Sequence, residues 1–129
     1  MSKNERTMNI KPPISSDKDF TTLYLQLLNV FTKEENRLTS TEMALVSELL
    51  LLPEKFKYSR FSSPAKARVA QSLNTTRLNL NNKIHGMIKK SFLRRDEDNV
   101  IYLPTHVTKA FEQYKKDKNF SINILLNDK

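Results

Sequence analysis

The side chains best suited to chemistry in this sequence lie at the start of one predicted helix. They are Thr76, Arg77, Leu78, Asn79 and Asn82. In the DNA major groove, Arg pairs bidentately with guanine, Asn pairs with adenine, and an apolar side chain meets the thymine methyl. A recognition helix carries such residues near its N-terminus, because that end reaches the base edges. The pattern predicts base contacts from these five residues, whereas the plainer interpretation is a solvated helix surface.

Cations surround the same helix and are suited to contact phosphates. They are Arg68, Lys83, Lys89, Arg94 and Arg95. Half of the 22 Lys and Arg residues lie in the window 55–95, which has no Asp or Glu, so this window supplies all of the net charge of +8. Such a segment attracts polyanions and makes their binding depend on salt. A basic patch without a partner remains the alternative.

Enzymatic chemistry finds little support in the composition. Cysteine is absent and there is a single glycine, Gly86, which excludes thiolate sites and Gly-rich phosphate loops. The two histidines, His85 and His106, lie on separate predicted helices without a carboxylate at a metal-ligand spacing. We therefore expect no enzyme activity, no metal and no cofactor. We place Gly86 on the outward face of its helix, where it either allows close approach or is simply tolerated.

Three segments organise the chain. Residues 1–15 contain Pro12-Pro13 and lack periodicity, which predicts a flexible N-terminal arm. Residues 16–118 form the predicted domain, and 119–129 form a C-terminal tail, interpreted as an edge strand or a docking segment. The first helix follows the caps Ser16 and Asp17, and its wide apolar stripe predicts burial in the core or against a partner subunit. That stripe consists of Phe20, Leu23, Tyr24, Leu27, Leu28 and Phe31.

Four more helices are predicted from caps and apolar spacing. Thr39 and Glu42 form a capping box for the second helix, and Ser63 followed by Pro64 begins the third. Asn74 suits a tight left-handed turn before the fourth. Thr75 or Thr76 caps that helix, and Thr105 caps the fifth. The inward stripes of the last three helices are Val69, Ala70 and Leu73; Leu80, Ile84, Met87 and Ile88; and Val107, Ala110, Phe111 and Tyr114.

Two short strands, 92–95 and 100–103, are predicted around the polar turn 96–99. The fold is therefore predicted to be mainly α with a small β-hairpin. From the second helix on, the predicted order is helix, helix, helix, hairpin and helix. This is the order of a winged helix-turn-helix with flanking terminal helices.

The stretch from Ala67 to Leu103 resembles the MarR-type winged-helix regulators. Lys90-Ser91-Phe92-Leu93-Arg94-Arg95 is similar to the family's Lys-x-Gly-Leu-Val-x-Arg entry into the wing. Ala70 and Leu73 fall where the family packs its first motif helix, and Leu80, Ile84 and Met87 fall where its recognition helix packs inward. The resemblance implies a homodimer that reads a two-fold-symmetric DNA site.

Two features depart from the family pattern. Ser91 replaces the expected glycine, and the wing tip Asp96-Glu97-Asp98 is acidic, with Asn99 where Arg is frequent. Acidic side chains near phosphates weaken binding, so we expect Arg94 and Arg95 at the base of the wing to position the DNA.

The sequence thus predicts sequence-specific binding of double-stranded DNA by a winged-helix transcriptional regulator, as a homodimer. The alternative is an architectural, replication-associated or virion-associated (phage-like) protein that uses the same module for weakly specific nucleic-acid binding or protein docking. The longest apolar run, 49–52, is too short to cross a bilayer, and residues 2–7 are polar. We expect no membrane partner and a cytoplasmic, nucleoid-associated location, or the virion if the protein is viral.

Overall fold

The computed structural model of the chain describes residues 5–12 and 14–127. These residues form five α-helices and two antiparallel two-stranded sheets. The helices are α1 (Asp17–Val30), α2 (Ser40–Leu50), α3 (Ser63–Ser72), α4 (Arg77–Lys89) and α5 (Thr105–Asp117). The strands are β1 (Glu5–Ile10), β2 (Arg94–Arg95), β3 (Ile101–Tyr102) and β4 (Ile122–Asn127). The prediction of a mainly helical chain with a small hairpin is confirmed.

Helix α2 lies at the centre of the fold and contacts α1, α3 and α4. It buries Leu45, Val46, Leu49 and Leu50, and complete burial of one such side chain stabilises a fold by about 1.5–3 kcal/mol. The inward residues predicted for α3, α4 and α5 all belong to this core or pack against it. The sequence pattern therefore identified the inward faces of these three helices correctly.

The face that α1 buries agrees in part with the predicted stripe, since Phe20 is buried and Tyr24 and Leu28 pack against the core. Phe20, Thr21 and Leu25 are buried, whereas Phe31 caps the end of the helix and is 86% exposed. Phe20 stacks on Tyr114 of α5 with a centroid distance of 4.3 Å. The prediction missed the burial of Thr21 because its side chain is polar. Its hydroxyl is hydrogen-bonded to that of Ser47 in α2, which satisfies both groups inside the core.

Hydrogen-bonded caps fix most of the helix starts. Ser16 caps α1, and the capping box of Thr39 and Glu42 is present at α2, both as predicted. Helix α3 is capped by Ser62 instead of Ser63, because proline is also tolerated at the second helical position, where the N–H has no partner within the helix. Of the two candidates at α4, Thr76 provides the cap.

At α5 the cap position is held by Pro104, and Thr105 is the first helical residue. The predicted cap by Thr105 is therefore wrong. No side chain provides a hydrogen bond to that end of the helix.

Helices α3 and α4 end in the same way. Asn74 and Ser91 adopt φ values of 52° and 63°, in the left-handed region that L-residues rarely enter. After α4, the N–H groups of Ser91 and Phe92 bond to the carbonyls of Ile88 and Met87, both at 3.0 Å. These two main-chain hydrogen bonds form a Schellman motif, whose left-handed position favours glycine. The family resemblance predicts glycine at position 91, and the backbone conformation of Ser91 also favours glycine.

The hairpin is shorter than predicted and has two paired residues in each strand. Arg94 lies opposite Tyr102, and Arg95 lies opposite Ile101. The Asp96 carboxylate accepts the N–H groups of residues 98 and 100 at 2.8 and 2.9 Å. This side chain therefore closes the turn and replaces main-chain bonds that longer strands would form.

The chain termini meet in a second sheet. Strands β1 and β4 pair antiparallel over six residues, with Glu5 opposite Asn127 and Ile10 opposite Ile122. The predicted C-terminal strand is confirmed. The flexible arm predicted for residues 1–15 is wrong for residues 5–10, because the arm has a distant pairing partner that local periodicity does not reveal. Residues 1–4, 13, 128 and 129 of the predicted arm and tail lie outside the described residues.

In the part of the chain that the structure describes, no helix combines the length and apolar character needed to cross a bilayer.

The left-handed conformation at Ser91 leads to a first prediction. Ser91→Gly raises the free energy of unfolding by roughly 1 kcal/mol, because glycine adopts positive φ without steric cost. Chemical denaturation measures the change. The matched control is Ala67→Gly on the exposed side of α3, which lowers the free energy of unfolding by about 1 kcal/mol. Equal destabilisation by both variants would contradict the left-handed conformation of Ser91.

Candidate nucleic-acid interface

The polar residues at the start of α4 lie on its exposed side. Arg77, Leu78, Asn79 and Asn82 are exposed, and Leu78 is 69% exposed despite its apolar side chain. The opposite side of the helix is buried in the core. The hydroxyl oxygen of Thr76 accepts the N–H of Asn79 at 3.1 Å. Thr76 therefore serves as the cap and keeps its O–H as a donor. The five predicted base-contacting residues are thus grouped at one accessible helix end.

Three cations from different elements converge beside this face. Lys66 of α3 has a pKa below its ordinary value, first because it is partly buried and then because Arg77 and Arg95 repel its charge. We call Lys66, Arg77 and Arg95 the basic cluster. Among the described residues, no carboxylate forms an ion pair with any of the three. Their repulsion is relieved when a polyanion binds next to them.

Lys66 was missed as a site residue by the sequence analysis. Its position in the acid-free window and one turn into α3 was the available signal. The predicted phosphate-contacting residues Arg68, Lys89, Arg94 and Arg95 are all exposed. In the described part of the chain they are also without ion pairs. These side chains are free to meet phosphate.

Other cations of the acid-free window stabilise the fold instead. Lys57 lies 3.4 Å from the Glu112 carboxylate of α5. The Arg60 guanidinium donates to the carbonyls of Leu49 and Lys57 at 3.2 and 3.0 Å. Burial lowers the pKa of Arg60. The charge of the window is therefore divided between internal contacts and an exposed face.

One edge of the exposed α4 face adjoins the start of α2. Lys83 is half-buried, and its ammonium donates to the Thr41 hydroxyl at 3.2 Å. A Cβ added to Gly86 would lie 3.4 Å from a Glu42 carboxylate oxygen. Gly86 thus faces α2, which corrects the outward placement expected from the helical pattern, and an added Cβ would make only an ordinary van der Waals contact there. Lys83 reaches a ligand only at this edge.

A buried ion pair joins the end of α4 to the start of α2. Glu42 is 5% exposed, and its carboxylate accepts the Lys90 ammonium at 2.5 Å and the Thr39 N–H at 2.8 Å. Lys90 also donates to the Arg37 carbonyl at 2.9 Å. Burial raises the pKa of Glu42, but the bonds from Lys90 and Thr39 outweigh burial and hold that pKa below its ordinary value. The ionised pair therefore fixes α4 on α2.

The hairpin presents cations at its base and carboxylates at its tip. Arg94 and Arg95 begin the hairpin, and Asp96, Glu97 and Asp98 form its exposed end. Because the tip is negative, it is unsuited to lie against phosphates. The favourable charge of the hairpin is confined to the side nearest α4.

No group of three His, Asp or Glu residues able to hold a metal ion occurs in ranges 5–12 and 14–127. His85 and His106 are exposed on α4 and α5. An open cavity of about 530 Å³ lies between α1, the hairpin and the start of α5, with Leu28, Phe92 and Arg94 in its wall.

Comparisons with protein-family models, with curated proteins and with solved structures find no match to this chain.

The Glu42–Lys90 pair leads to a second prediction. Lys90→Met lowers the free energy of unfolding by about 3 kcal/mol at neutral pH, because it leaves a buried carboxylate without its cation. The double variant Glu42→Gln/Lys90→Met recovers much of this loss, since Gln keeps the capping-box bond without a charge. Denaturation of the single variants Lys90→Met and Glu42→Gln, the double variant and the wild type measures the coupling. Full additivity of the two substitutions would show that the pair does not hold α4.

The pH dependence of the same pair follows from the lowered pKa of Glu42. Stability from the ionised carboxylate is complete above its ordinary value of about 4.5 and is lost as the pH falls through the folded pKa. Glu42→Gln therefore flattens the acid limb of the stability curve. In Lys90→Met the bonds from Thr39 remain, but the hydrogen bond and charge of Lys90 no longer oppose burial, so the folded pKa of Glu42 rises. Mild acid therefore reduces the deficit of that variant relative to wild type.

Proposed function

We propose that the chain is a winged helix-turn-helix protein that binds double-stranded DNA sequence-specifically and acts as a transcriptional regulator. In this proposal α3 and α4 are the helix-turn-helix, α4 is the recognition helix, and the β2–β3 hairpin is the wing. The observation that carries the proposal is the exposed polar start of α4, which carries Arg77, Asn79 and Asn82. The lowered pKa of Lys66, caused by its partial burial and in part by Arg77 and Arg95, supports it. One duplex lying across α4 would meet all three cations.

The two kinds of contact are assigned to different side chains. Arg77, Asn79 and Asn82 are exposed near the start of α4, the part of a recognition helix that reaches base edges. Leu78 offers methyl groups to thymine, and the Thr76 hydroxyl can donate a hydrogen bond. Phosphate contacts are assigned to Lys66, Arg68, Lys83, Arg94 and Arg95, and to Lys89 at the opposite end of α4.

The wing is assigned a positioning role. Its acidic tip disfavours insertion between two phosphate strands, whereas Arg94 and Arg95 at its base can hold one strand. This arrangement departs from the MarR-type regulators that the sequence resembles between Ala67 and Leu103, and the resemblance itself remains part of the proposal.

The second candidate is an architectural, replication-associated or virion-associated protein that binds DNA with weak specificity. The cavity of about 530 Å³ between α1 and the hairpin favours a regulator over this candidate, because it falls in the range of small-molecule pockets, about 300–1,000 Å³. Architectural binding requires only the basic cluster and not the polar end of α4.

A third prediction separates base readout from charge. Arg77→Ala and Asn79→Ala each cost roughly 1–3 kcal/mol on the preferred duplex and relax preference at one base pair. Arg94→Ala and Lys89→Ala weaken binding to all duplexes alike and reduce its salt dependence. Titrations against a preferred and a scrambled duplex at two salt concentrations distinguish the classes. Unchanged preference in both α4 variants would eliminate base readout.

We also propose a homodimer, supported by the exposed apolar residues Val30 and Phe31 at the end of α1. A dimer through α1 and the terminal strands would present two recognition helices to a two-fold-symmetric site.

The fourth prediction is that sedimentation finds a dimer and that Phe31→Asp shifts it to monomer, because a carboxylate would be buried at the interface. Leu78→Asp on the exposed face of α4 is the control and leaves the dimer intact. A wild-type monomer at roughly tens of micromolar would contradict the dimer.

A further inference from the structure

Tyr58, in the loop between α2 and α3, leaves its ring almost entirely in water and is 93% exposed. The ammonium group of the neighbouring Lys57 lies 5.6 Å from the ring centroid. Burying an aromatic side chain is among the largest apolar gains that a protein can make. The fold does not use this gain at Tyr58, so the ring is available to stack on a ligand.

A groove of about 380 Å³ runs beside this ring, between the loop and strand β3, and we call it the Tyr58 groove. Tyr58 and Phe61 line one wall, and Val100, Ile101 and Tyr102 line the other. Val100 and Tyr102 are also exposed. The volume falls within the range of ligand pockets, about 300–1,000 Å³. The walls suit a flat ligand with apolar faces.

Charges inside the groove are already balanced. Lys57 is paired with Glu112 at 3.4 Å, and the Arg60 guanidinium donates to main-chain carbonyls. The Asp96 carboxylate accepts two N–H groups of its own turn. The groove therefore favours a neutral ring that can also form hydrogen bonds over a charged group.

The groove lies between the acidic tip of the hairpin, which contributes Asp96 to its lining, and the cations of the basic cluster. Arg95 of the basic cluster pairs with Ile101 across the hairpin, and Ile101 lines the groove. The same loop leads directly into α3, which carries Lys66 of that cluster. The Tyr58 groove therefore lies one β-strand away from Arg95. A nucleic acid whose phosphates contact the basic cluster would lie next to the groove. Nucleobases combine a neutral aromatic face with such phosphates.

We propose that the Tyr58 groove takes an unpaired base of DNA, stacked on Tyr58, so that the protein prefers a duplex with a single-stranded end over a blunt duplex. This inference rests on the proposed function, because the paired part of the DNA lies on α4.

The test is fluorescence anisotropy with a blunt duplex and with the same duplex carrying a short single-stranded end of either polarity. An overhang of one polarity raises affinity about tenfold, a stacking gain that is tolerant of sequence. Tyr58→Ala removes this gain and leaves blunt-duplex binding unchanged, whereas Tyr58→Phe keeps it. A fluorescent adenine analogue at the first unpaired position is quenched by stacking in the wild type and in Tyr58→Phe only.

The outcomes separate this inference from the proposed function. One outcome overturns the groove proposal alone. In it, blunt-duplex binding depends on Arg77, both overhang duplexes bind with the same affinity as the blunt duplex, and the adenine analogue is not quenched. Absence of blunt-duplex binding, with Tyr58-dependent binding of single strands, overturns duplex recognition and supports the groove. If Tyr58→Ala keeps the higher affinity for the overhang duplex, the groove proposal is also overturned. The gain in affinity would then come from the charge of the overhang.

Discussion

The orientation of α4 depends on one buried interaction, the ion pair between Glu42 and Lys90. Glu42 closes the capping box of α2 with the same carboxylate that accepts the Lys90 ammonium at the end of α4. With that contact made and Ile84 buried in the core, the side of α4 that carries Asn82 must face water. The proposed base-reading surface is therefore a consequence of how α2 and α4 are joined.

Charge separation follows from the same packing. The cations of the acid-free window that have partners, such as Lys57 and Lys90, contact carboxylates from outside the window. The basic cluster of Lys66, Arg77 and Arg95 is left without such partners among the described residues. An exposed cationic group of this kind adds little to stability but much to the attraction of polyanions. This imbalance supports nucleic acid over an acidic small molecule as the partner, because three elements contribute to one extended surface.

Sequence patterns predicted local features well and non-local ones poorly. The capping box of Thr39 and Glu42 and the left-handed turn at Asn74 depend on adjacent residues, and both are present. The burial of Thr21 depends on a hydroxyl partner in another helix, and the pairing of β1 with β4 joins opposite ends of the chain. The candidate site was predicted as a list of exposed residues, but the proximity of Lys66 to Arg95 requires the hairpin to fold back towards α3. Such contacts have no signature in local periodicity.

Selection of duplexes from a random library at two salt concentrations tests the central claim most directly. Sequence-specific recognition by α4 predicts that one motif is enriched at both concentrations, while overall affinity falls as salt rises. The Arg77→Ala and Asn79→Ala variants should then enrich motifs that are degenerate at one position each. Binding that falls with salt without enriching any motif would contradict sequence-specific recognition and would favour the architectural alternative.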